Sequence, residues 1–138
     1  MIYYGVCEED SPKSIYAQIV AGLAEALVTQ SVITSLAYRV DQYASKADAV
    51  ACTSGTEITD DTALTKTSVI FDTLQTTGPG ANIVTPKGTG YNFATIAPAA
   101  SFPTQGYWYR IELRITPSTG DEYTGGTGVL ECQARAGG

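Results

Sequence analysis

The chain contains no histidine. That removes the commonest general base, the commonest metal ligand and every nucleophile paired with an imidazole. Charge is also scarce. Only 16% of the 138 residues are charged, with a net charge of −6 and a pI near 4.4. The eight Lys and Arg are scattered, so no basic patch for nucleic acid is expected. No apolar run reaches the roughly 18 residues of a membrane helix, which predicts no membrane partner. Glu8, Glu9 and Asp10 stand where a secretory signal would carry its apolar stretch, so synthesis and folding in the cytosol are expected. Cys7, Cys52 and Cys132 are few, odd in number and form no CxxC pair. They read as free, mostly buried thiols and not as a disulfide framework.

The remaining candidates for chemistry are weak. Gly78-Pro79-Gly80 and Gly88-Thr89-Gly90 lack the spacing and the Lys of a phosphate loop and read as turns. Asp60-Asp61 and Asp121-Glu122, with Asp41 and Asp48, offer carboxylates without the spacing of a calcium loop. No pair among them is set apart as a glycosidase pair would be. The expectation is no catalytic residue, no metal and no cofactor.

What is abundant points to β-structure: Thr, nine Tyr against three Phe, and 14 Gly with 6 Pro. The clearest stretch is 107–116. Tyr107, Tyr109, Ile111, Leu113 and Ile115 alternate with Trp108, Arg110, Glu112, Arg114 and Thr116, the period of a strand with one apolar face and one wet face. Turn formers flank it at 103–106 and 117–122. A second strand is expected at 31–40, where Thr34, Leu36, Tyr38 and Val40 alternate with Ser35, Ala37 and Arg39. Further strands are expected at 67–74, with Val69 and Phe71 opposite Ile70, at 91–96 and at 125–135, where Gly128, Leu130, Cys132 and Ala134 share a face.

Residues 2–6 read as an edge strand or an N-terminal arm. In 14–28, Ile15, Ile19, Leu23 and Leu27 stand four apart as in a helix, but Gly22 interrupts and Ile15, Ala17 and Ile19 also alternate. The favoured reading is a strand over 14–21 and then a turn. Residues 41–48 are expected to loop out, 49–52 to pair briefly, 53–65 to form a polar connection and 75–90 a long loop. The resulting architecture is all-β: a single antiparallel β-sandwich of immunoglobulin-like type over 14–135, preceded by an arm or edge strand (1–13) and followed by a short tail (136–138).

Trp108 is the only Trp, and alternation puts it on the polar side of the central strand beside Arg110. An exposed aromatic with a nearby Arg suits a protein interface. Alternatively Trp108 lies under a loop or packs over Arg110, or it joins Tyr107 and Tyr109 in a sugar-stacking platform. The N-terminal Ile2, Tyr3 and Tyr4 are the other candidate partner-binding residues, able to add a strand to a neighbour's sheet.

The pieces LVTQSVITSLAYRVD (27–41), TSVIFDTLQT (67–76) and GYNFATIAPAASFPTQGYWYRIELRITPSTGDE (90–122) resemble a family of small proteins found in tailed-bacteriophage and prophage genomes. That family shows a T-Q-x-x-I-x-S-(I/L)-x-Y-x-V opening, here Thr29 to Val40. It also shows a V-x-F-D-T-L-Q piece, here Val69 to Gln75, and a G-Y-N-F…FP…G…YR-(I/V)-E segment, here Gly90 to Glu112. The motifs are turns, strand edges and core positions. Its members often carry an acidic or Asp-Gly turn before the Thr-Gln, which 22–27 lacks here. The resemblance implies a non-enzymatic virion protein, made in the host cytoplasm and located on the virion in many symmetric copies. Its partners would be the major capsid protein or neck and tail proteins. A capsid decoration protein is favoured, with a neck or tail/baseplate component, or a carbohydrate-binding module on a tail tip, as alternatives.

Overall fold

The computed structural model describes residues 2–21, 26–85 and 87–135. The chain is all-β. Its strands are β1 (Ile2–Glu8), β2 (Lys13–Ala17), β3 (Val20–Ala21), β4 (Ala26–Leu27), β5 (Ile33–Tyr43), β6 (Thr56–Leu64), β7 (Ile70–Gln75), β8 (Val84–Thr85), β9 (Gly88–Thr89), β10 (Tyr91–Ala97), β11 (Trp108–Pro117) and β12 (Tyr123–Gln133), with short helices α1 (Lys46–Ala51) and α2 (Lys66–Val69). A five-stranded sheet runs β1-β12-β11-β5-β6 and a three-stranded sheet β2-β10-β7; β3-β4 and β8-β9 form two small ribbons. The chain crosses between the two larger sheets repeatedly, so neither sheet can form from one contiguous stretch.

Strand β11 sits at the middle of the larger sheet, antiparallel to β5 and β12. Its alternation is the predicted one. Tyr109, Ile111, Leu113 and Ile115 are buried. Ile111, Leu113 and Ile115 stand opposite Val40, Tyr38 and Leu36 of β5. These side chains meet the second sheet in two clusters. One holds Tyr38, Val40, Ala97, Phe102, Tyr109, Ile111 and Leu130. The other holds Ile19, Val28, Leu36, Ile70, Phe93, Leu113 and Ile115. Ile15 and Leu64 pack against both.

One buried polar side chain ties the second sheet to the β3–β4 ribbon. Asn92 is 0% exposed. Its Oδ1 accepts from Ile19 N–H at 2.7 Å, and its Nδ2 donates to the carbonyls of Ile19 and Val28 at 2.9 and 3.0 Å. A buried amide satisfied this fully specifies one arrangement, because each abandoned partner costs about 1–3 kcal/mol. Gly90, just ahead of β10, has φ +119°, and a Cβ there would strike the Gln75 carbonyl, so the entry to β10 requires glycine.

Several expectations need correction. Strand β1 is an edge strand, and it pairs parallel with β12, so the larger sheet is not antiparallel throughout. Residues 41–43 continue β5. The stretch expected to loop and pair briefly is helix α1, because Ser45 Oγ accepts from Asp48 N–H at 3.1 Å and caps an Ala-rich turn that offers a sheet little to pack. The polar connection contains strand β6. There Thr and Asp on an edge face water, and only Ile58 and Leu64 reach the core. In 67–74 the first turn is helix α2, so Val69 and Ile70 are both buried, while Phe71 is only half-buried. The strand expected over 14–21 is present as β2 and β3. Positions 22–25, where that segment was to turn, and the tail 136–138 lie outside the described residues.

Two tests follow from the core. Asn92→Ala is expected to lower unfolding free energy by about 3 kcal/mol or more, read by urea denaturation; a loss under about 1 kcal/mol would mean the ribbon is not held by this amide. The hydroxyls of Tyr109, Tyr43 and Tyr123 are pushed above the usual phenol value, chiefly by burial. A raised folded value means stability is fully present below the ordinary phenol pKa of about 10 and lost as pH rises above it. Alkaline titration at 295 nm is therefore expected to show a late ionisation phase coincident with loss of tertiary circular dichroism.

Candidate docking surface

The side of β11 turned away from the core carries Trp108, Arg110, Glu112 and Arg114, and register places Asp41 and Arg39 of β5 opposite Arg110 and Glu112. The charges neutralise one another. Arg39 forks onto Asp41 at 2.8 and 2.9 Å and reaches Glu57 at 3.4 Å and Asp60 at 4.0 Å. Arg110 Nε meets Glu112 at 2.6 Å, and Arg114 lies 3.5 Å from Asp61 and 3.9 Å from Glu112. The Asp60-Asp61 pair is thus part of an ion-pair ladder along the sheet. Among the described residues no group of three His, Cys, Asp or Glu is placed to hold a metal, and no helix is long and apolar enough to cross a membrane.

Helix α1 lies over this face. Ala49 is fully buried against Tyr43 and Val129, with Ile2 and Trp108 packed on the same cluster. Arg110 Nη1 donates to the carbonyls of Ala49 at 2.9 Å and Val50 at 3.2 Å, holding the helix's last carbonyls down. Arg110 is therefore a clamp within the fold, its hydrogen-bonding groups turned to α1 and Glu112. Trp108 is half-buried, with Lys46 Nζ 5.9 Å from its ring centroid and 4.5 Å from that of Tyr4. Trp108 packs on the cluster of Tyr43, Ala49 and Val129 beside helix α1, whereas the sequence suggests a loop or Arg110 as its cover. A platform of Tyr107, Trp108 and Tyr109 is overturned, because Tyr109 is 0% exposed in the core, with its hydroxyl bonded to the backbone of Thr104 at 3.0 Å.

The N-terminal candidates remain accessible. In β1, Cys7 points into the core, so Ile2, Tyr4 and Val6 lie on the outer side and Tyr3 on the inner side at the edge. Tyr4 is 55% exposed and Val6 43%. The structure thus brings Ile2, Tyr4, Trp108 and Arg110 together around α1 and leaves Tyr3 on the other side of the strand. Sequence reasoning placed Val6 in the N-terminal arm without singling it out, and missed Lys46. Period-two spacing from Ile2 and Tyr4 pointed to Val6, whereas nothing local pointed to Lys46.

The two edges of the larger sheet differ in kind. β6 carries Glu57, Asp60 and Asp61, and its pairing with β5 shifts register twice, both devices that discourage further strands. Strand β1 carries neither. IYYGVCE has no Pro, no Lys and one terminal charge, and its seven residues pair with β12 without a register shift. No protein-family model, curated protein or solved structure matches this chain.

The thiols separate cleanly. Cys7 and Cys132 face each other across β1 and β12, both buried, and burial above all raises each above the usual thiol value, Cys7 far above it; Cys52 is exposed. A thiol-reactive dye is expected to label one cysteine rapidly in the native protein and three after denaturation. Rapid labelling of all three would show that β1 detaches readily.

Proposed function

We propose that this protein is a non-enzymatic structural protein of a tailed-phage virion, a capsid decoration protein built as a single immunoglobulin-like β-sandwich. The observation that carries the docking reading is the unguarded edge β1. An apolar, uninterrupted edge strand with exposed Tyr3, Tyr4 and Val6 is costly to leave free, because its unpaired backbone groups recruit other strands. It becomes an asset where a partner surface covers it. The interlocked charges of the outer face argue for docking through this edge over steering by a net field. Two mainly antiparallel sheets sharing a core support the immunoglobulin-like reading, and the resemblance of 27–122 to phage and prophage proteins supports the setting. Arrayed copies on a symmetric shell would bind by avidity, so each contact can be weak.

The test is made on purified virions of a phage encoding the chain. The protein is expected on capsids stripped of their tails, and Tyr4→Glu with Val6→Lys is expected to reduce its copies there at least ten-fold while the isolated variant stays folded. Absence from tail-less capsids overturns the decoration assignment, and presence on detached tails would move the protein to the neck or tail.

A further inference from the structure

Three glycines face the space between the two larger sheets from neighbouring strands: Gly5 of β1 and Gly126 and Gly128 of β12. Register fixes their direction, because Gly128 is opposite Ile111 and Gly126 opposite Leu113, both core residues. A Cβ at Gly126 would meet nothing within 4 Å, and one at Gly128 only the Tyr3 carbonyl oxygen at 3.9 Å. Leu130 fills the space over Gly5. Where large side chains would normally interdigitate, Gly126 and Gly128 leave a cavity of about 230 Å³ between edge strands β1 and β2. Its mainly apolar wall includes Ile15, Tyr38, Phe93, Ile111 and Leu113. An unfilled apolar void forfeits dispersion contacts all along its lining.

The charged residue in the lining of this cavity is Lys13. It pairs with Ala97, a core residue, so its side chain leaves β2 on the inner face with Ile15. It lines the cavity, is half-buried, and has no carboxylate within 4 Å among the described residues. An apolar cavity, part open to solvent between two edge strands, with one cation in its lining is complementary to a ligand with an aliphatic tail and an anionic head. At roughly 30 Å³ per heavy atom the space holds about eight atoms, enough for the carbons of such a ligand with its two carboxylate oxygens at the opening beside Lys13.

We propose that the inter-sheet cavity binds a medium-chain aliphatic carboxylate of about eight carbons, its tail between β12 and β2 and its carboxylate on Lys13. The site is on the inner side of the fold and does not depend on the virion assignment, so the two stand or fall separately.

The test uses the full-length protein stripped of bound lipid, titrated with hexanoate, heptanoate, octanoate, octanol and octylamine by calorimetry and thermal unfolding. Octanoate is expected to bind at one site and raise Tm. Affinity should climb about four-fold per methylene from hexanoate to octanoate, with octylamine at least ten-fold weaker. Lys13→Met is expected to bring octanoate down to the affinity of octanol. Gly128→Leu, and independently Gly126→Leu, is expected to abolish binding of both while the variant unfolds at an unchanged or higher temperature, its void filled. No saturable octanoate binding to wild type at millimolar concentration overturns the proposal. So does octanoate binding that persists in both folded glycine variants, which would place the ligand on another surface.

Discussion

The fold rests on the packing of β11's inner face against the second sheet. Tyr109 and Ile111 belong to one main core cluster and Leu113 and Ile115 to the other, and their strand has a hydrogen-bonded neighbour on each side. Burying such side chains is worth roughly 1.5–3 kcal/mol each, enough to set the register of β5 and β12, since a one-residue slip would turn every one of them to water. From that register follow the opposition of Arg110 to Asp41 and of Glu112 to Arg39, and hence the charge ladder outside.

That ladder and helix α1 engage the charged groups of the outer face with one another and with backbone carbonyls. Exposed ion pairs contribute little individually, but here they leave few donors unengaged, and Arg110 is spent on the carbonyls of α1. The aromatic residue most suggestive of a binding platform, Trp108, is drawn into the same packing by Ala49, Ile2 and Lys46. The acidic pair on β6 likewise faces Arg39 and Arg114.

The asymmetry lies at the β1–β2 side. There the larger sheet ends in an unprotected apolar strand, and behind it glycines take the place of core side chains. The opposite side is finished with charge, register shifts and a helical turn. One side of the molecule is completed by its own residues; the other has an open edge and an unfilled interior.

Strict alternation made β11, the inner half of β5 and β12 legible from sequence, because a half-buried strand writes its period into its own residues. The all-β class followed. The absence of histidine likewise removes imidazole as base or ligand on composition alone. Strand β6 was illegible because an edge strand with Thr and Asp on its wet face buries too few apolar residues to show a period. Helix α1 was marked only by Ser45 and Asp48, three residues apart, and by alanines at 47, 49 and 51, a signal weaker than the polar composition around it. Tertiary structure alone decided the parallel pairing of β1 with β12, the covering of Trp108, the buried bonds of Asn92 and the void opposite Ile111 and Leu113. Each depends on which distant segment arrives alongside, and hydrophobic period, a local quantity, carries no information about that.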